Sequence, residues 1–126
     1  MASTEATPGV LVSVVDDDES VRESLPDLLR ELGFSARTYS SAEEFLQAAQ
    51  MEQTQCLILD INMPGMSGPE LNEELRRRGY RIPVIFITAH ADAASRPEVT
   101  DGAVACLVKP FSDTALQEAL WRALGM

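Results

Sequence analysis

Four short apolar runs in this chain each stop at a side chain capable of chemistry, and that repetition limits the fold more than any other feature. Val10–Val15 ends in Asp16-Asp17, Leu57–Leu59 in Asp60, Pro83–Ile87 in Thr88, and Ala103–Val108 in Lys109. Runs of this length bounded by turn residues read as strands buried on both faces, the habit of parallel sheets. A further segment, Phe34–Tyr39, is more polar and reads as an edge strand. With 126 residues the chain predicts one domain with room for a real core.

Helical patterns separate the runs. Val21, Leu25, Leu28, Leu29 and Leu32 share one helical face, and Gly33 stops that helix. Pro26 lies inside it and should remove a hydrogen bond and bend it, at about 3 kcal/mol. Ser41 and Glu44 form a capping box for a second helix with Phe45, Leu46 and Ala49 inward. Gly68-Pro69 opens a third, proline taking the first helical position, with Leu71 and Leu75 facing the core and Gly79 at its end. Its last turn, Arg76-Arg77-Arg78, suits the helix dipole and reads as a solvated end rather than a nucleic-acid patch. Ala91–Asp101 is a poor fourth helix with Pro97 in its middle. Asp113 is expected to cap a fifth, which turns Leu116, Ala119, Leu120, Ala123 and Leu124 to one side, Trp121 lying next to that face. Strands alternating with helices predict an α/β fold: a doubly wound five-stranded parallel sheet with five helices and right-handed crossovers.

Composition excludes several functions. The net charge of -10 argues against direct binding to nucleic acid or an anionic membrane, while favouring a divalent cation. Cys56 and Cys106 lie in apolar runs with no metal-binding spacing, so both read as reduced, packed thiols of a cytoplasmic protein. No stretch approaches the roughly 18 apolar residues of a membrane span. Met1–Gly9, small and polar, reads as a flexible tail before a domain over 10–126.

Parallel strands place all four polar ends on one edge of the sheet, where ligands bind in open α/β folds. Three carboxylates (Asp16, Asp17, Asp60) converge there with the hydroxyl of Thr88 and the ammonium of Lys109, the chain's sole lysine. Crowded carboxylates need a cation, and hard oxygen donors favour Mg²⁺. A carboxylate beside such an ion can attack phosphorus and form an acyl phosphate, with Lys109 and Thr88 on the phosphoryl oxygens. Each residue also has a plain alternative: Asp60 opening a loop, Thr88 ending a strand, Lys109 as a solvated cation, Asp17 and Asp18 as helix N-terminal acids. Their coincidence at four strand ends favours the chemistry.

The same residues carry a resemblance. Val14-Val15-Asp16-Asp17-Asp18-Glu19-Ser20-Val21-Arg22-Glu23-Ser24-Leu25, Gly33-Phe34, Tyr39, Ser41-Ala42, Asp60 with Met63–Gly68, Pro83–Thr88 and Lys109-Pro110-Phe111 together resemble the receiver domain of bacterial two-component response regulators, FixJ-type subgroup, over residues 10–124. The resemblance implies a flavodoxin-like strand order 2-1-3-4-5. It implies that Asp60 accepts a phosphoryl group from a sensor histidine kinase, and that the domain assists its own phosphorylation and dephosphorylation without being an enzyme on other substrates. It implies Mg²⁺ on Asp16, Asp17, Asp60 and the main-chain carbonyl of Asn62, with Thr88 and Lys109 on the phosphate and a cis Lys109-Pro110 bond. It further implies a remodelled surface on phosphorylation, homodimers, and transcriptional control through an effector domain outside this sequence, unless the chain stands alone.

Departures from the subgroup bear on output. The family's aromatic switch position is Cys106, leaving Thr88 and Cys106 as the switch pair, and the segment from Thr88 to Gly102 is one residue short. Phosphorylation chemistry without the usual aromatic readout is the expectation. Cys106 in a redox role and His90 in tuning the site stand beside a packed thiol and a plain loop residue. Two other functions compete: a receiver that docks partners unphosphorylated, and a phosphatase with Asp16 as nucleophile and Asp18 as general acid, for which Asp16-Asp17-Asp18 supplies the D-x-D.

Overall fold

The computed structural model describes residues 10–48 and 51–126; the expected tail Met1–Gly9 and the inward Ala49 lie outside the described residues. Five strands form one parallel sheet: β1 (Leu11–Val15), β2 (Ser35–Tyr39), β3 (Cys56–Asp60), β4 (Val84–Thr88) and β5 (Ala105–Val108), in the order β2-β1-β3-β4-β5. The expected order therefore stands. The registers Val14↔Ile58, Asp60↔Ile87 and Thr88↔Val108 bring the strands to an end along one edge. Every residue of β1, β3 and β4 is buried, whereas β2 alternates and β5 is half exposed, as edge strands are.

Among the described residues five α-helices complete the fold: α1 (Glu19–Glu31), α2 (Ala42–Leu46), α3 (Gly68–Arg77), α4 (Pro97–Thr100) and α5 (Asp113–Leu124). Side-chain alternation along the strands divides the core between the two faces. Val12, Val14, Ile58, Ile85 and Ile87 pack with Leu25 and Leu29 of α1 and Leu116 and Leu120 of α5. Leu57, Leu59 and Phe86 pack on the opposite face with Phe45 of α2, Leu71 and Leu75 of α3 and Val99 of α4.

Local chemistry differs from expectation at several helix ends. Ser112, not Asp113, caps α5: its hydroxyl accepts from the Ala115 N–H at 3.0 Å, and Asp113 is the first helical residue. A hydroxyl one residue earlier reaches the free N–H better than a carboxylate already inside the helix. Ser41 caps α2, but Glu44 turns back to the N–H and hydroxyl of Ser40 rather than to Ser41, so the box closes one residue early. α3 carries a complete Ser67–Glu70 box in addition to its proline. Pro97 starts α4 instead of breaking a longer helix; a 3₁₀ turn, Ala91–Ser95, precedes it. Proline lacks the N–H that a first-turn residue leaves unused, so a short helix beginning there is its low-energy solution. Pro26 lies buried within α1, which runs through it.

Candidate functional site

Asp16 is the first residue beyond β1 and is fully buried. Each of its polar groups is engaged. Its N–H donates to the Tyr39 carbonyl at 3.1 Å, carboxylate Oδ1 accepts from the Asp18 N–H at 2.8 Å, and Oδ2 accepts from Lys109 Nζ at 2.9 Å. Its carbonyl accepts from Arg22 Nη1 at 2.9 Å. Asp60, the last residue of β3, is 7% exposed. Its Oδ1 accepts from the Asn62 N–H at 3.3 Å, and its Oδ2 lies 4.0 Å from Lys109 Nζ. Asp17 is exposed, yet its carboxylate completes a group whose oxygens, with those of Asp16 and Asp60, lie within 4.8 Å of one another. Three hard oxygen donors so close are chemically suited to Mg²⁺.

The electrostatics follow from this crowding. Burial, then the charge of Asp16, pushes the Asp60 carboxyl up to about 7 against the pull of Lys109 and the Asn62 N–H. Burial works against the Lys109 ammonium, but its hydrogen bond to Asp16 and the charges of Asp60 and Asp16 outweigh that and hold it above its ordinary value. Asp18 caps α1 through the N–H and hydroxyl of Ser20, which keep its carboxyl below the usual range.

These values set a pH dependence. The folded-state value for Asp60 lies above the unfolded one of 3.8, so its contribution to stability is complete below about pH 4 and is lost as pH rises through about 7. In chelator, urea unfolding of the wild type is expected to lose stability across that window relative to Asp60→Asn. The variant should be the more stable by about 1–2 kcal/mol at pH 8. Parallel pH profiles for the two proteins would contradict the arrangement.

Thr88 ends β4 fully buried, but its hydroxyl is held by its own loop, accepting from the His90 N–H at 3.0 Å and donating to the His90 carbonyl at 3.4 Å. The backbone of His90, not its ring, makes that contact. The structure thus gathers Asp16, Asp17, Asp60 and Lys109 and leaves the Thr88 hydroxyl turned to its loop. Cys106 pairs in register with Phe86 on the face that also carries Thr88. It packs on the β4–α3 cluster, and burial raises its thiol; the fully buried Cys56 is pushed up to about 12. Both thiols are free and neither is activated. The Lys109–Pro110 bond is cis.

Gly68 does more than open α3, the role that Gly68-Pro69 predicts. A Cβ on Gly68 would stand 2.4 Å from the Asp60 carbonyl oxygen and 3.2 Å from Ile61 Cα. α3 therefore begins flat against the end of β3, which fixes the backbone beneath the Asp60 carboxylate. Gly68→Ala is expected to destabilise the fold by about 2–3 kcal/mol, because backbone must yield. An unchanged urea midpoint would refute it.

Comparison with known proteins places this arrangement. A family model described as the response regulator receiver domain matches residues 12–121. Nodulation protein W of Bradyrhizobium diazoefficiens is 42% identical over 118 residues, covering 93% of this chain and 52% of that protein. The transcriptional regulatory protein FixJ of Azorhizobium caulinodans is 42% identical over 115 residues, covering 90% of this chain and 54% of that protein. The chain thus spans about half the length of these curated relatives. Among solved structures, FixJ-N superposes with a TM-score of 0.82 at 39% identity, covering 94% of this chain and 96% of that one. The response regulator TrrA of Thermotoga maritima, solved in complex with Mg²⁺-BeF, superposes with a TM-score of 0.82 at 32% identity, covering 91% and 99%. Among the described residues, no helix is long and apolar enough to cross a membrane.

Proposed function

Because the chain belongs to the response regulator receiver domain family, we propose that it is a phosphorylation-controlled signalling switch whose Asp60 accepts a phosphoryl group from a sensor histidine kinase. One observation carries the reading. A carboxylate at the end of a buried strand stands 4.0 Å from the chain's sole lysine and within a three-carboxylate group. In the transfer, an oxygen of ionised Asp60 forms a bond to phosphorus as the P–N bond of the phosphohistidine breaks. The imidazole leaves with the electron pair, and an acyl phosphate results.

Asp16, Asp17, Asp60 and the Asn62 carbonyl would hold Mg²⁺; the clustering of the three carboxylates supports the carboxylate ligands, and TrrA, a relative in fold, was solved in complex with Mg²⁺-BeF. When bound, the ion offsets charge on the carboxylates and on the phosphoryl oxygens. Lys109 is already aimed into the site by Asp16 and supplies a second cation. The Thr88 hydroxyl becomes a donor to the phosphoryl group once it leaves the His90 carbonyl, and that exchange is the switch. Cys106 lacks the bulk to follow Thr88 inward, so the signal leaves through the 3₁₀ turn at Ala91–Ser95 and the four-residue α4.

The full-length protein is proposed to be a cytoplasmic transcriptional regulator, with an effector domain and a phosphorylation-dependent homodimer, in keeping with relatives about twice as long. The phosphatase alternative fits less well: Asp18 caps α1 by accepting from the N–H and hydroxyl of Ser20, and those bonds lower its carboxyl, the wrong direction for a general acid. The test is intact-protein mass after incubation with Mg²⁺ and acetyl phosphate. One phosphoryl group is expected, lost when chelator replaces Mg²⁺. Failure to label with acetyl phosphate or with any purified histidine kinase from the same genome would favour docking without phosphorylation.

A further inference from the structure

We infer that Arg22 is a positioning residue for the metal-binding carboxylates, acting through the peptide that joins Asp16 to Asp17. The inference rests on the receiver reading above. Asp16–Asp18 is the loop between β1 and α1, and it carries two of the three clustered carboxylates. Arg22 sits one turn into α1, half buried, and its guanidinium folds back so that Nη1 donates to the Asp16 carbonyl at 2.9 Å. That carbonyl belongs to the peptide plane from which Asp17 springs. Asp17 itself is exposed, and no hydrogen bond to its carboxylate orients it among the described residues. The orientation of the Asp17 backbone is therefore what places its carboxylate, and the Arg22 hydrogen bond is the contact that sets it from the helix side.

Arg22 occupies a position where helix energetics disfavour it. A cation in the first turns opposes the positive end of the dipole. Its charge reaches Asp18 and Glu44, where it is a minor influence behind their hydrogen bonds to Ser20 and Ser40. A purely electrostatic arginine beside carboxylates would compete with a divalent cation. A positioning arginine does the opposite, because a preorganised ligand set binds more tightly than a loose one. The two roles therefore predict opposite signs.

The test is Mg²⁺ titration by calorimetry on the wild type, Arg22→Met and Arg22→Lys, with urea unfolding of each in chelator. Arg22→Met is expected to weaken Mg²⁺ binding by about tenfold. Arg22→Lys, which keeps a donor and the charge, is expected to recover at least half of that loss on a logarithmic scale. Unchanged or tighter binding in Arg22→Met overturns the inference. So does an equal loss in Arg22→Lys, or a loss that merely follows a drop in folded fraction. A wild-type chain that takes up no Mg²⁺ overturns the receiver-site reading itself, and the inference with it.

Discussion

Asp60→Asn is expected to remove phosphoryl incorporation completely: intact mass after acetyl phosphate and Mg²⁺ shows one added group on the wild type and none on the variant. The amide keeps the size and hydrogen-bonding reach of the carboxylate but has no anionic oxygen to attack phosphorus. No neighbour takes over readily. Both oxygens of Asp16 are already committed, to the Asp18 N–H and to Lys109, and Asp16 is fully buried. Misfolding is separable from this result, because relief of the crowded carboxylates is expected to make the variant the more stable protein above about pH 7, which urea unfolding of the same sample checks. Loss of the adduct together with a gain in stability is a combination that a generic structural lesion does not produce. An adduct that persisted in Asp60→Asn would move the nucleophile to Asp16 and revive the phosphatase alternative.

Much of the site was legible because parallel sheets convert sequence endings into spatial neighbours. Asp16, Asp60 and Lys109 lie far apart in the chain, yet each ends an apolar run, and aligned runs bring Lys109 within 2.9 Å of Asp16 and 4.0 Å of Asp60. What could not be read was contact made by polar groups off the strands. Arg22 has no role in the sequence beyond its place in the Val14–Leu25 motif; a cation near a helix N-terminus, where the dipole disfavours one, is the signal it offers. Ser67 and Glu70 spell a capping box, but the adjacent Gly68-Pro69 invited a helix start explained by proline alone. Gly68 was legible as a helix boundary and not as a close approach, since the 2.4 Å clash arises only once α3 lies against β3. Nor does any pattern in the sequence show that the Thr88 hydroxyl turns back to His90, because that choice depends on loop geometry and not on strand register.

Lys109→Met is expected to destabilise the metal-free protein by about 3 kcal/mol at pH 8, because it strips the counter-ion from a buried carboxylate while leaving the like charges together. Asp16 loses its donor at 2.9 Å, and Asp60 loses the cation at 4.0 Å. Methionine retains most of the aliphatic stem, so the packing of a side chain that is 21% exposed changes little. The sign with pH separates this from an ordinary packing defect. Asp60 already favours the proton in the folded state up to about 7, and removing a nearby cation strengthens that preference. The penalty should therefore shrink by more than half at pH 5, where a proton on Asp60 ends the repulsion. Mg²⁺ at neutral pH should recover part of it by replacing the missing charge, and Lys109→Met combined with Asp60→Asn should cost less than Lys109→Met alone. A penalty of equal size at both pH values, insensitive to the ion and to the second substitution, would mean that Lys109 supports the fold through its stem. The ammonium would then not be the internal counter-ion of the cluster, and its proposed place opposite the phosphoryl group would lose its main support.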